Sequence, residues 1–387
     1  MALMNTYNRF PLTLVKGKGS YVWTDAGDKY LDYTAGIATC NLGHVPEYVE
    51  EKLSHQLAKL WHCSNLYHIP NQEALARLLV ENSCADQVFF CNSGAEANEG
   101  AIKLARKYGK AVKGAQAYQV VTFKQSFHGR TLATLSATGQ KKIQEGFEPL
   151  VDGFSYLEFN DFSAIDKLDP ATTAAVLLEV VQGEGGVVPA DRKWLQELAS
   201  YCQINNILLM IDEIQTGMGR TGSLFAYQQY GIEPDVFTLA KGLGSGFPIG
   251  ALLAKEQVAK YFQPGSHGST FGGNPLAVTA GLATLEYMLN NRIPEQAKEL
   301  GNYLAEQLKG LQAKYGCVKE VRGLGLLQGL VVEEKAGEII NAARDRKLLI
   351  LFAGSNVIRI LPPLTTTKEE IQEAVTILDQ SFQAVFN

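Results

Sequence analysis

The sequence predicts an α/β protein built on a mainly parallel sheet. Short continuous apolar runs, helix-like stretches between them, and glycines gathered beyond the run ends carry that expectation. The runs are residues 87–91 (QVFFC), 119–123 (QVVTF), 174–181 (AAVLLEVV), 207–211 (ILLMI) and 236–240 (VFTLA). They do not alternate, so they read as strands covered on both faces. Residues 95–108 and 192–205 have helical character, and the alternation of strand and helix gives a parallel sheet through crossover units. Ligands of such a sheet sit beyond the carboxyl ends of its strands. Gly183, Gly185 and Gly186, then Gly242, Gly244, Gly246 and Gly250, then Gly268, Gly272 and Gly273 form three clusters, as expected where backbone runs close to a ligand.

Taken in order, the N-terminal segment contains YVWTDAGDKYLDY, two alternating strands around Ala26-Gly27-Asp28. Residues 275–289 open with a proline suited to a first helical turn. Beyond about 291 come a helix at 295–314, a strand near 326–333, another helix, and a strand at 357–361 closed by Pro362 and Pro363. The expected division is an N-terminal segment, 1–45, packing with a small domain at 291–387, and a large domain at 46–290. The length of 387 residues fits, since a domain averages roughly 150.

Composition excludes several classes. With 46% hydrophobic and 19% charged residues, the chain is neither disordered, collagenous nor a coiled coil. Thirty-five Lys and Arg against 40 Asp and Glu give a net charge of -5 with no long basic run, which argues against nucleic acid. The six cysteines form no C-x-x-C pair or zinc spacing and read as reduced thiols; no metal is expected. No run approaches the ~18 apolar residues of a membrane span, and no signal peptide is evident, so a cytoplasmic protein is expected.

Four strand ends carry chemistry. ILLMIDEIQT places Asp212, Glu213 and Gln215 where a buried strand stops, and a buried carboxylate is costly unless something positive meets it. VFTLA runs into Lys241 and then GLGSG, which delivers an amine to a glycine-lined edge, a candidate nucleophile. CNSGAE places Ser93, Gly94 and Ala95 at a helix start. Ser93 with Glu96 makes an ordinary capping box, and the same free N–H groups suit a phosphate dianion. Phe127-His128-Gly129-Arg130 groups a ring, an imidazole and a guanidinium at one turn. Singly, each has a mundane explanation: a cap, an ion pair, a surface lysine, a core Phe. Together they supply an amine, an acid, a phosphate cradle and an aromatic plate, the inventory for pyridoxal phosphate.

In FFCNSGAEANEGAIKLAR, FHGRT, QGEGG, LLMIDEIQTGMGRTG, LAKGLGSGFPIGA, HGSTFGGNPLA and RILPPL the chain resembles the class III, ornithine-type aminotransferases of fold type I, nearly end to end. The resemblance implies pyridoxal 5'-phosphate held by Lys241, Asp212 on the pyridinium nitrogen and Gln215 on the phenolic oxygen. Phe127 would stack on the ring, with Ser93, Gly94 and Ala95 around the phosphate. Thr270 would reach the phosphate of a neighbouring subunit, so a homodimer is implied. Arg130, assisted by Tyr7, would clamp the substrate's distal carboxylate. Arg359 would take the proximal carboxylate of 2-oxoglutarate, and Glu184 would cover Arg359 while the amino donor is bound; a static Glu184–Arg359 ion pair is the alternative. Where many relatives have proline after the glutamate preceding QGEGG, this chain has Val180, which suits a strand. The expected donor is N2-acetylornithine, with ornithine, succinylornithine, succinyldiaminopimelate and 4-aminobutyrate as alternatives, and selectivity is expected in the N-terminal segment and near Gly36, Ile37 and Ala38. A nicotinamide dehydrogenase is disfavoured because no complete G-x-G-x-x-G lies between a strand and a helix. A catalytically dead scaffold would be expected to lack Lys241 or Asp212.

Overall fold

The computed structural model describes residues 2–386. At the N-terminus, β1 (Leu14–Lys18), β2 (Tyr21–Thr24) and β3 (Lys29–Asp32) form an antiparallel meander. Gly27, at φ 85°, makes the left-handed step of the expected β2–β3 turn.

The central sheet follows. Its strands are β4 (Gln87–Cys91), β5 (Gln119–Phe123), β6 (Phe154–Leu157), β7 (Thr173–Leu178), β10 (Leu208–Asp212), β11 (Val236–Leu239) and β12 (Gly250–Ala254). The intervening β8 (Val181–Gln182) and β9 (Val188–Pro189) form a small separate ribbon. Spatial order is β4-β12-β11-β10-β7-β5-β6, and only β12 runs against its neighbours.

Both faces of this sheet are covered, which is why its strands read as continuous apolar runs. On β10, Leu209 and Ile211 join the main core with Val176, Leu178, Phe237 and Leu253. Leu208 and Met210 face the other way, with Ala175, Leu177 and Val236, against Ala101, Leu104 and Ala105 of the helix Gly94–Lys113. Each such fully buried Leu contributes about 1.5–3 kcal/mol.

The run at 174–181 is one strand in expectation and two in the structure. It breaks after Leu178 because the buried Glu179 turns its carboxylate to the N–H groups of Phe127 and Gly183, at 2.9 and 3.2 Å.

Toward the C-terminus, β13 (Val318–Leu324), β14 (Leu327–Val332), β16 (Leu351–Ala353) and β17 (Val357–Ile360) form an antiparallel sheet in the order β13-β14-β17-β16. The intervening β15 (Leu348–Leu349) leaves it and pairs in parallel with β3, tying the N-terminal meander to the C-terminal segment. Helices Ile293–Lys314 and Lys368–Phe386 pack on this part. No helix among the described residues is long and apolar enough to cross a membrane.

Candidate active site

The carboxyl ends of β4, β5, β7, β10 and β11 share one edge, and β12, being antiparallel, brings its amino end there. A cavity of about 410 Å³ opens at this edge. Its lining comes from Ser93, Gly94 and Ala95 after β4, from Phe127 to Arg130 after β5, and from Glu179 and Glu184 after β7. Asp212 and Gln215 follow β10, Lys241 follows β11, and Thr39 comes from the N-terminal segment.

Asp212 is 4% exposed, and its carboxylate is held from two sides. Oδ2 accepts from Asn98 Nδ2 at 2.8 Å and from His128 Nδ1 at 2.9 Å, while Oδ1 accepts from Ile214 N at 3.0 Å. Asn98 is fixed in turn: Nδ2 also donates to His128 O at 2.8 Å, and Thr238 Oγ1 donates to its Oδ1 at 2.8 Å. These bonds lock the orientation of a costly buried anion, as supporting shells do for catalytic groups. Sequence reasoning passed over Asn98 and used His128 only as a nearby imidazole. The available signal for Asn98 was a polar residue on the otherwise apolar face of a helix.

Lys241 follows β11 with φ 41°, a left-handed conformation unusual for a non-glycine residue and common where backbone strain is held at functional positions. It forms no ion pair among the described residues. Burial lowers its pKa below the ordinary lysine value, with Glu184 opposing that effect and Arg359 adding to it. The neutral amine a nucleophile needs is therefore favoured.

The helix Gly94–Lys113 begins at the cavity wall. Ser93 Oγ accepts from Glu96 N at 3.2 Å, and the Glu96 carboxylate reaches back to Asn92 N at 2.6 Å, one residue before the expected capping-box partner. A Cβ on Gly250 would lie 2.5 Å from Ser93 O, so glycine there lets β12 pass close to this helix start. Phe127 lines the cavity, with the exposed Arg130 guanidinium 5.6 Å from its ring.

Arg359 lies on β17, 2% exposed, and does not itself line the cavity. Its Nη1 donates to Glu184 Oε1 at 2.5 Å and to Gln215 Oε1 at 3.2 Å, while Gln215 Nε2 donates to Glu184 at 3.3 Å. Burial pulls the Glu184 carboxyl up, but the adjacent guanidinium overrides it and leaves the pKa below the usual value. Glu179 is the opposite case: burial pushes it up to about 7, with the His128 imidazole opposing.

Just before Thr39, Ala35, Gly36, Ile37 and Ala38 have φ of 43°, 64°, 63° and 59°, a left-handed turn that is costly for three of the four. Asp32 pins it. Oδ1 accepts from Thr34 N and Oγ1 and from Ala35 N, and Oδ2 meets His44 Nε2 at 2.8 Å. The side chains of Tyr7 and Thr270 are exposed, and neither residue lines the cavity.

The lining suits a phosphorylated aromatic aldehyde. The helix start offers N–H groups to a dianion, Phe127 offers a flat apolar face, Lys241 an amine, and Asp212 a buried, oriented carboxylate for a ring N–H.

Comparison with known proteins agrees with this chemistry. The profile described as aminotransferase class-III matches residues 3–382. The acetylornithine aminotransferase of Oceanobacillus iheyensis is 59% identical over 379 residues, covering 98% of this chain and 95% of that protein. Among solved structures, the N-acetylornithine aminotransferase of Stenotrophomonas maltophilia superposes with a TM-score of 0.86 at 38% identity, covering 98% of this chain and 97% of that one. The ornithine aminotransferase of Toxoplasma gondii, described with partial occupancy of PLP at its active site, superposes with a TM-score of 0.94 at 33% identity. That match covers 98% of this chain and 92% of the other.

Proposed function

Since this chain belongs to the class III aminotransferases, we propose that it transfers the side-chain amino group of N2-acetylornithine to 2-oxoglutarate, yielding N-acetylglutamate 5-semialdehyde and glutamate. The observation that carries this reading is the single cavity lined by Lys241, Asp212 and the start of the helix at Gly94.

Pyridoxal 5'-phosphate is the cofactor; when bound, it supplies an aldehyde to receive the amino group and a ring that delocalises the electron pair left when the substrate carbon loses its proton. The chain's own residues do the rest. The Lys241 amine, whose pKa burial lowers, would take that proton and return it. Asp212, oriented by His128 and Asn98, would hold a proton on the ring nitrogen. The N–H groups after Ser93 would bind the phosphate, and Gln215 would bond the ring oxygen.

The two substrates differ in charge at the reacting end. N2-acetylornithine brings an amine there and a carboxylate at the far end, which Arg130, with Tyr7, binds. 2-Oxoglutarate brings a carboxylate at each end and needs Arg359 as well. The Glu184–Arg359 contact neutralises that arginine while the donor is present, and its release exposes the guanidinium to the second substrate.

A homodimer completes this reading, with Thr270 reaching the partner's phosphate. Its support is the exposed apolar side chains of that residue's loop and of the segment bonded to it: Phe271 (62% exposed), whose ring lies 5.2 Å from that of His62, and Trp61 (65%) and Leu66 (88%). Asn65 Nδ2 braces the loop by donating to Ser269 O and Gly272 O. A cytoplasmic location is supported by the six free cysteines.

Initial rates on N2-acetylornithine, ornithine, succinyldiaminopimelate and 4-aminobutyrate test the donor. The highest kcat/KM is expected for N2-acetylornithine; a preference for another member of the panel rejects that assignment.

A further inference from the structure

Beside the catalytic cavity lies a larger cleft of about 1070 Å³ between the loop after β5 and the residues joining β16 to β17. Phe127, Arg130 and Glu184 line both spaces, so the cleft opens directly onto the site. Its charge runs against that of the molecule. The whole chain carries -5, yet five cations line this cleft, Lys124, Arg130, Lys141, Lys142 and Arg322, against the single carboxylate of Glu184.

The five differ in how far they are already neutralised. Lys124 pairs with Glu158, and Arg322 pairs with Glu320 at 3.0 Å while donating to Gly186 O. Glu184 itself is engaged by Arg359. Arg130, Lys141 and Lys142 form no ion pair among the described residues, although Glu145 and Glu148 lie beside the two lysines in an adjoining outer depression. The cleft's exposed positive charge is thus carried by Arg130 with Lys141 and Lys142, the two lysines being partly offset by Glu145 and Glu148 at the outer edge.

We propose that this cleft is an entry vestibule that gathers dicarboxylate dianions, and that Lys141 and Lys142 set the selectivity for the amino acceptor over the donor before either touches the cofactor. The inference rests on the transaminase reading and deepens it. 2-Oxoglutarate carries two negative charges and no positive one, whereas N2-acetylornithine, with one carboxylate and one ammonium, is net neutral. A positive field along the cleft raises the local concentration of the first and leaves the second nearly unaffected. Lys141 and Lys142 act at a distance here; they belong to neither the cofactor site nor the arginine clamps.

Because a transaminase releases the first product before binding the second substrate, kcat/KM can be measured for each substrate separately. The test is Lys141→Gln/Lys142→Gln in the holoenzyme, with Lys141→Arg/Lys142→Arg as the charge-keeping control, at ionic strengths of about 0.02 and about 0.5 M. At low salt the Gln variant should lose about 3- to 10-fold in kcat/KM for 2-oxoglutarate, and the loss should shrink at high salt. Its kcat/KM for N2-acetylornithine should stay within about twofold of wild type, and the Arg variant should behave as wild type. An equal fall for both substrates, an unchanged value for 2-oxoglutarate, or a loss that ignores salt overturns the vestibule while leaving the transaminase reading intact. A wild-type holoenzyme without transamination overturns both.

Discussion

Asp212 and Glu213 are adjacent, both buried and both acidic, yet their surroundings separate them. Asp212 receives His128 and Asn98 and faces the cavity, whereas Glu213 turns into the protein, where Thr216 Oγ1 donates to Oε2 at 2.7 Å and Tyr227 N to Oε1 at 2.9 Å. Burial pushes Glu213 up to about 7. A carboxyl whose folded pKa exceeds its unfolded value near 4.5 binds its proton more tightly in the folded state. Its contribution is therefore fully present below about pH 4.5 and is lost as pH rises to about 7, by up to about 3 kcal/mol. Glu213→Gln should become steadily more stable relative to wild type across that window, as read by thermal unfolding from pH 4.5 to 8; a pH-independent difference contradicts the assignment. Arg130 makes a different case. Lysine cannot offer the two parallel N–H donors of a guanidinium, and a charge-assisted hydrogen bond contributes about 1.5–3 kcal/mol. Arg130→Lys should therefore lower kcat/KM about 10- to 100-fold for both substrates. Unchanged values would remove Arg130 from the clamp.

Element by element, the site depends on how closely β12 approaches the helix start at Gly94. Gly250→Ala would set a methyl 2.5 Å from Ser93 O and 2.8 Å from Cys91 Sγ, and the backbone oxygen cannot yield without moving the helix start proposed to hold the phosphate. Cofactor affinity should fall at least about 10-fold, with about 1–3 kcal/mol of lost stability, in a pyridoxal phosphate titration and a denaturant series. Full affinity in the variant would show that the cradle does not need this close contact. The same strand marks the limit of what was legible beforehand. β4 and β5 have the bounds their apolar runs suggest, because a strand covered on both faces writes itself as an unbroken run. β12 was missed because GALLA follows a glycine-rich loop and its glycine reads as space for a ligand; its reversed direction arises from the short return out of the lysine loop, which no local pattern records. β6 is short and only half-buried, so its apolar signal is weak. Lys241 and Asp212 were legible because each ends a buried run with a charge. Asn98 and Glu179 were not, since their roles come from partners 114 and 52 residues away in sequence.

For the whole molecule, the lone chain leaves Thr270 on its surface next to Phe271, in a loop bonded through Asn65 to the segment that carries the exposed Trp61 and Leu66. A face of this kind calls for cover. Phe271→Glu should shift the sedimenting species from dimer to monomer and weaken cofactor binding at the same time, because the partner's Thr270 position would then be vacant. A variant that remains dimeric and fully loaded argues against this surface. The molecule's net charge of -5 also makes the basic cleft beside the site a local exception, which gives the ionic-strength experiment its contrast. Separate strand ends converge on one cavity, and the proposed role of Lys241 is to hold the cofactor there. Borohydride reduction of the purified holoenzyme, followed by peptide mass spectrometry, tests this most directly. A phosphopyridoxyl group on the peptide containing Lys241, and on no other lysine, is the predicted result; attachment elsewhere, or none, would contradict it.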